Sequence, residues 1–198
     1  VKLMQDNRFD VMRGEESQLA GWLARQADFS GTVIMPGTHS KWVQVNNGTI
    51  TDFRTYMTGE LFEAISEHTI LRHSVSGPDG PDAHFATMVK RLAERCGSIE
   101  GELFGFRARH LLEGSDAGRL RQELSALLIM AEVRAGQKDG FHLDAETVLI
   151  GTDGLTEFYG TALEAIGVQS RRVRGTQLVW PALYSLAVKA GLIKGNQT

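Results

Sequence analysis

Three short stretches of this chain carry residue types that handle phosphate or protons, and each has a plain structural use as well. The first is Pro36-Gly-Thr-His-Ser-Lys41. A phosphate held by protein needs several N–H groups converging on it, and Gly37 lets the backbone come close with no Cβ in the way. Thr38 and Ser40 offer hydroxyls and Lys41 a point charge. Gly, Thr and Ser also populate ordinary hairpin turns. The second stretch is Arg13-Gly-Glu-Glu-Ser-Gln18. Carboxylates at a helix start are stabilised by the positive end of the helix dipole. At the rim of a cleft, Glu15 or Glu16 would instead serve as a general base, accepting the proton of an attacking hydroxyl. The third is Leu149-Ile-Gly-Thr-Asp-Gly-Leu155, an apolar run breaking into a glycine turn that opens a helix. Ligands of α/β sheets sit beyond the carboxyl ends of strands, which puts Gly151 and Thr152 at a nucleotide edge. Any short βα connection looks the same.

Other chemistries lack their patterns. There is no G-x-x-x-x-G-K-[ST], no G-x-G-x-x-G and no G-x-S-x-G. His39, His68, His73, His84, His110 and His142 are scattered without zinc-ligand spacing, so no metal site is expected in the chain. The single Cys96 reads as a passive thiol that cannot form an internal disulfide, which fits a reducing cytoplasm.

The elements that must position these residues follow from periodicity. Apolar residues at Leu19, Trp22, Leu23 and Ala27 predict an amphipathic helix over Glu15 to Ala27. Thr32 to Met35, Lys41 to Val45 and Thr49 to Thr55 read as strands, joined by the Pro36–Ser40 turn and by Asn46-Asn-Gly48, which predicts a three-stranded antiparallel meander. Helices are expected over 59–68, 83–95, 100–112 and 120–135, the last apolar on more than one side. A loop at Ser74 to Asp82 divides the chain. Strands at 147–150 and 168–173 then alternate with helices at 155–166 and 177–190. Strands and helices in this order predict a mixed sheet covered on both faces.

Composition agrees with a globular α/β chain. Of 198 residues, 42% are apolar and 23% charged, which excludes general disorder. The longest apolar run, Ala126 to Ala131, is far short of the roughly 20 residues that span a bilayer, so no membrane partner is expected. A net charge of −3 disfavours nucleic acid as a partner. Glycine, 22 residues, is about 11% against a usual ~7%. The first residue is Val1, with no signal-peptide pattern behind it, and the N-terminus reads as a cut.

The order of the motifs carries a resemblance. Asp10-Val-Met-Arg-Gly-Glu-Glu16, Pro36-Gly-Thr-His-Ser-Lys-Trp-Val43, Met57-Thr-Gly-Glu-Leu-Phe62, and Gly151 through Leu163 with Tyr159, together resemble the 2-dehydro-3-deoxygalactonokinase family along nearly the whole chain. The resemblance implies an actin-like, ribonuclease-H-like α/β fold. It implies ATP with Mg²⁺ as cofactors and a small sugar acid as substrate. The reaction would be transfer of the γ-phosphoryl to the 6-hydroxyl of 2-dehydro-3-deoxy-D-galactonate. It further implies that Gly37, Thr38, His39, Ser40 and Lys41 belong to a phosphate loop, that Gly151 and Thr152 belong to the adenosine loop, and that Glu15 or Glu16 is the base. Residues 1–28 would then be a segment of an N-terminal domain plus a crossing helix, and residues 29–198 the C-terminal nucleotide-binding domain. The N-terminal domain and its Asp-x-Gly-Thr phosphate loop would lie outside the chain. One departure stands out: Leu124-Ser-Ala-Leu-Leu-Ile-Met130 replaces a pattern resembling LSGLLIG, and Ala126 and Met130 are expected to add bulk at the nucleotide cleft. Two other readings remain: another actin-like phosphotransferase or polyphosphate phosphatase, and a non-catalytic fragment that only folds and binds nucleotide or a partner.

Overall fold

The computed structural model describes residues 2–5, 8–77, 81–94 and 97–191. Cys96 and the middle of the 74–82 loop lie outside the described residues. The chain opens on a hairpin of β1 (Lys2–Gln5) and β2 (Arg8–Val11). Periodicity shows no strand here because β2 turns Phe9 and Val11 to solvent and anchors itself through polar contacts. Asp10 accepts from Thr55 N and Thr55 Oγ1, both at 2.6 Å, and Arg8 pairs with Asp52.

Next comes α1 (Glu15–Leu23), shorter than the expected helix. Arg25 N and Gln26 N bond back to Trp22 O and Leu23 O, tightening the last turn, and the chain folds over so that Phe29 meets the Trp22 ring edge-on at 4.6 Å. The meander follows as β3 (Gly31–Met35), β4 (Ser40–Asn46) and β5 (Thr49–Tyr56). Its Asn47-Gly48 turn has φ of 47° and 68°, the positive pair a two-residue hairpin of matching twist requires. The chain continues through α2 (Thr58–His68), α3 (Ala83–Glu94), α4 (Ile99–Glu113) and α5 (Ala117–Lys138). It ends with β6 (Glu146–Gly151), α6 (Asp153–Ala165), β7 (Ser170–Arg174) and α7 (Val179–Lys189). No described helix is long and apolar enough to cross a membrane.

The five-stranded sheet has the order β5-β4-β3-β6-β7. β3, β4 and β5 pair antiparallel, while β3, β6 and β7 pair parallel, giving the mixed sheet the element order predicted. Alternation along the strands divides the core. Ile34, Trp42 and Leu149 face α3, α5 and α6, whereas Val33, Val43, Val148 and Ile150 face Leu19 and Trp22 of α1 and Leu178 beside α7. Every residue of β3 is buried, as expected of a central strand covered on both faces.

Candidate active site

β3 and β6 run parallel and adjacent, so their carboxyl ends open at the same edge. The Pro36–His39 turn leaves one and Gly151-Thr152 leaves the other. The two turns touch: a Cβ on Gly151 would sit 3.7 Å from Pro36 Cδ. On the far side α2 clamps the first turn, with Glu60 N donating to Thr38 O at 3.0 Å. There is no room for a side chain at Gly59, whose Cβ would lie 2.5 Å from Gly37 O. At Gly37 the reverse holds, since a Cβ there would meet nothing within 4 Å. Its exposed side faces open space.

That space is two adjoining cavities. One of about 510 Å³ lies among α2, α5 and α6 and is lined by Phe62, Arg121, Ser125, Leu155 and Phe158 among others. Another of about 330 Å³ lies between the start of α1 and the strand ends, with Glu15, Gln18, Met35, Ile150 and Thr176 in its wall. Gly37, Thr38 and Thr152 line both, so the two turns form the sill between them.

The structure brings Glu15, Gly37, Thr38, His39, Gly151 and Thr152 around the smaller cavity. It turns Ser40 and Lys41 away. Strand alternation is the cause: Ser40 points with Trp42 to the face covered by α5 and α6, and Lys41 points to the α1 face. Ser40 is fully buried, its hydroxyl 2.9 Å from Tyr159 OH. Lys41 is buried too; its Nζ donates to His39 O at 3.0 Å and pairs with Glu15 Oε1 at 3.0 Å. Lys41 therefore acts on the carboxylate, where the sequence offered it to phosphate as a point charge. Glu16 folds back on the backbone N–H of Gly14 and caps its own helix. His39 pairs with Glu60 at the surface.

Electrostatics single out Glu15 further. Partial burial pushes its carboxyl up, but N–H groups at the helix start and the Lys41 ammonium outweigh this and hold it below the ordinary value of 4.5. It is an ionised carboxylate with one oxygen fixed by a cation.

Behind the sill lies a buried polar cluster that the sequence did not disclose. Glu132 of α5 accepts from Trp42 Nε1 at 2.7 Å and from Tyr159 OH at 2.6 Å, and Thr58 at the start of α2 also bonds to it. Desolvation pushes Glu132 up, the hydrogen bonds opposing it, and desolvation with the neighbouring Glu132 pushes Tyr159 up. The available signal was an ionisable residue within the apolar stretch of a helix. Ala126 and Met130, expected to crowd the cleft, are instead buried in the core; the cleft side of α5 presents Ser125 and Ile129. Both belong to the core cluster that also holds buried residues of α3 and α6. Among the described residues no group of three or more His, Cys, Asp or Glu is placed to hold a metal ion.

A family model described as 2-keto-3-deoxy-galactonokinase matches residues 1–186. A probable 2-dehydro-3-deoxygalactonokinase of Rhizobium meliloti (strain 1021) is 40% identical over 181 residues, which cover 90% of this chain and 59% of that protein. The 2-dehydro-3-deoxygalactonokinase of Escherichia coli (strain K12) is 38% identical over 188 residues, 92% of this chain and 61% of its own length. The crystal structure of a Sinorhizobium meliloti protein assigned as 2-dehydro-3-deoxygalactonokinase superposes with a TM-score of 0.88 at 37% identity, over 98% of this chain and 65% of that one. The fold is shared more distantly with an activator of 2-hydroxyisocaproyl-CoA dehydratase from Clostridium difficile with bound ADPNP, at TM-score 0.54 and 14% identity, over 93% of this chain and 71% of that one. The chain thus spans about three-fifths of the curated relatives it matches.

Proposed function

The chain belongs to the 2-keto-3-deoxy-galactonokinase family, and we propose that it forms the ATP-holding wall of a sugar-acid kinase that phosphorylates the 6-hydroxyl of 2-dehydro-3-deoxy-D-galactonate. The observation that carries this reading is Gly37. Its Cβ position is empty, it joins two cavities, and an ionised glutamate lines the same space. Phosphoryl transfer asks for positioned N–H donors and a group to take the hydroxyl proton, and the turn backbone and Glu15 suit those two needs. The distant activator that shares the fold was solved with bound ADPNP. In the proposed assembly, residues 29–198 hold the nucleotide. Residues 1–28, with α1 seated on the sheet, lead from a further domain that would close the cleft and exclude water.

The backbone of Gly37, Thr38 and His39 holds phosphate oxygens, with the Thr38 hydroxyl beside them. Gly151 and Thr152 border the nucleoside side. Glu15 accepts the proton of the acceptor hydroxyl at its carboxylate, and Lys41, itself held by the His39 carbonyl, keeps that carboxylate ionised and aimed. Mg-ATP, when bound, would supply the transferable phosphoryl group, and the Gly37–His39 turn would hold its phosphate oxygens. A reducing cytoplasm suits the single thiol of Cys96.

The test is ADP release by the longer enzyme from ATP with 2-dehydro-3-deoxy-D-galactonate as acceptor, set against phosphate release from polyphosphate. Sugar-acid turnover is expected. Glu15→Gln should cut it by about two to four decades while nucleotide affinity stays. Turnover of polyphosphate alone, or an undiminished Glu15→Gln, would overturn the assignment.

A further inference from the structure

Glu132 is too deeply buried to meet substrate, and its hydrogen-bonding neighbours Trp42, Tyr159, Thr58 and Ser40 are all neutral. Burying such a carboxyl is costly and needs a return. Its contacts show where the return lies. They join β4, α2, α5 and α6, which surround the sill between the two cavities. The chain of contacts continues from Tyr159 OH to Ser40 Oγ at 2.9 Å and on to the Gly37 carbonyl at 3.5 Å.

Counting protons fixes what this chain can do. The Trp42 indole only donates, so it must give to Glu132. If Glu132 is ionised, Tyr159 donates to it, Ser40 donates to Tyr159, and the Gly37 carbonyl receives nothing from Ser40. If Glu132 carries a proton it donates to Tyr159, Tyr159 to Ser40, and Ser40 to the Gly37 carbonyl. Along the line from Glu132 through Tyr159 and Ser40 to Gly37, the buried carboxyl thus sets the direction of both hydroxyls, while Thr58 and Ser40 also hydrogen-bond to it directly.

We propose that Glu132 is a positioning residue for the Gly37–His39 turn, acting through Tyr159 and Ser40 to fix the Gly37 peptide and so the aim of the turn's N–H groups. The upward push that burial gives its carboxyl agrees with the orientation that secures Gly37. The consequence for nucleotide rests on the kinase reading above; the consequence for the turn does not.

Glu132→Gln, Tyr159→Phe and the double variant separate the two. In the ligand-free chain the Thr38 and His39 backbone amide resonances are expected to shift in each variant, with those of the remote Asn47-Gly48 turn unmoved. With Mg²⁺ and a non-hydrolysable ATP analogue, each single variant should bind about tenfold more weakly, the worth of roughly one hydrogen bond. The double variant should bind no worse than Tyr159→Phe, because Glu132 acts through that hydroxyl. A merely structural role gives additive losses and unmoved turn amides, and either result overturns the proposal. Should Glu132→Gln fail to fold, Ser40→Ala takes its place, with the same turn shifts expected and their absence equally fatal. If the wild-type chain binds no analogue, the kinase reading falls, and the amide shifts alone decide whether Glu132 positions the turn.

Discussion

The two ends of α5 each bury a glutamate, and they solve the problem in opposite ways. Glu123, near the start of the helix, is met by Arg109 of α4 at 2.6 Å and His84 of α3 at 3.0 Å. Burial pushes its carboxyl up, but those two partners outweigh it and hold it below the ordinary value. Glu132, nine positions on, has neutral donors, and its carboxyl goes up. The first arrangement ties three helices together, and Glu123 lines neither cavity. The second lies directly behind the Gly37 turn. An ion pair suffices to hold helices in place, whereas a neutral network with two possible directions of donation can orient a peptide group.

The largest effect is expected at the site end. Gly59→Ala would drive a Cβ into the Gly37 carbonyl, a clash with backbone that cannot swing aside. A loss of about 3 kcal/mol in chemical unfolding is expected, together with loss of nucleotide binding. At the other end, Glu123→Ala removes the shared partner of Arg109 and His84, both partly exposed and able to find water. The expected cost is about 1–2 kcal/mol, read as a fall in Tm of several degrees, with nucleotide affinity unchanged. Altered affinity there would erase the distinction between the two ends.

The smallest effect is the most diagnostic. Glu123 has a lowered folded value, so its contribution is present above about pH 4.5 and is lost as pH falls through that lower value. Glu132 has a raised one, so its contribution is full below about pH 4.5 and is lost as pH rises. Unfolding titrations should therefore show Glu132→Gln gaining on wild type from acid toward neutral pH, while Glu123→Ala loses ground over the same rise. Slopes of equal sign would break the comparison.

Much of this was legible in the sequence, for local reasons. Asn47-Gly48 marks its hairpin, the strand and helix periods give the sheet and its covering, and Pro36–Lys41 announces a turn with no Cβ at Gly37. Glu15 was legible because it sits at a helix start. The orientation of Ser40 and Lys41 was not, because it depends on which face of β4 each residue occupies. The Glu132 cluster was hidden for a different reason: its members, Ser40, Trp42, Thr58, Glu132 and Tyr159, come from four elements far apart in the chain. The β1–β2 hairpin escaped because polar bonds to β5 hold it, and no apolar alternation records them.

The Gly37 turn is proposed to hold the phosphates of ATP. Calorimetric titration of Mg²⁺ with a non-hydrolysable ATP analogue into the wild-type chain and into Gly37→Ala tests it most directly. Because the added Cβ meets no protein atom, Tm should stay within about 1 °C, the reach of a change under 0.5 kcal/mol. Binding by the wild-type chain, weakened about tenfold or more in the variant at unchanged Tm, is the expected result. Equal affinity of the two chains, or no binding by wild type, would contradict it.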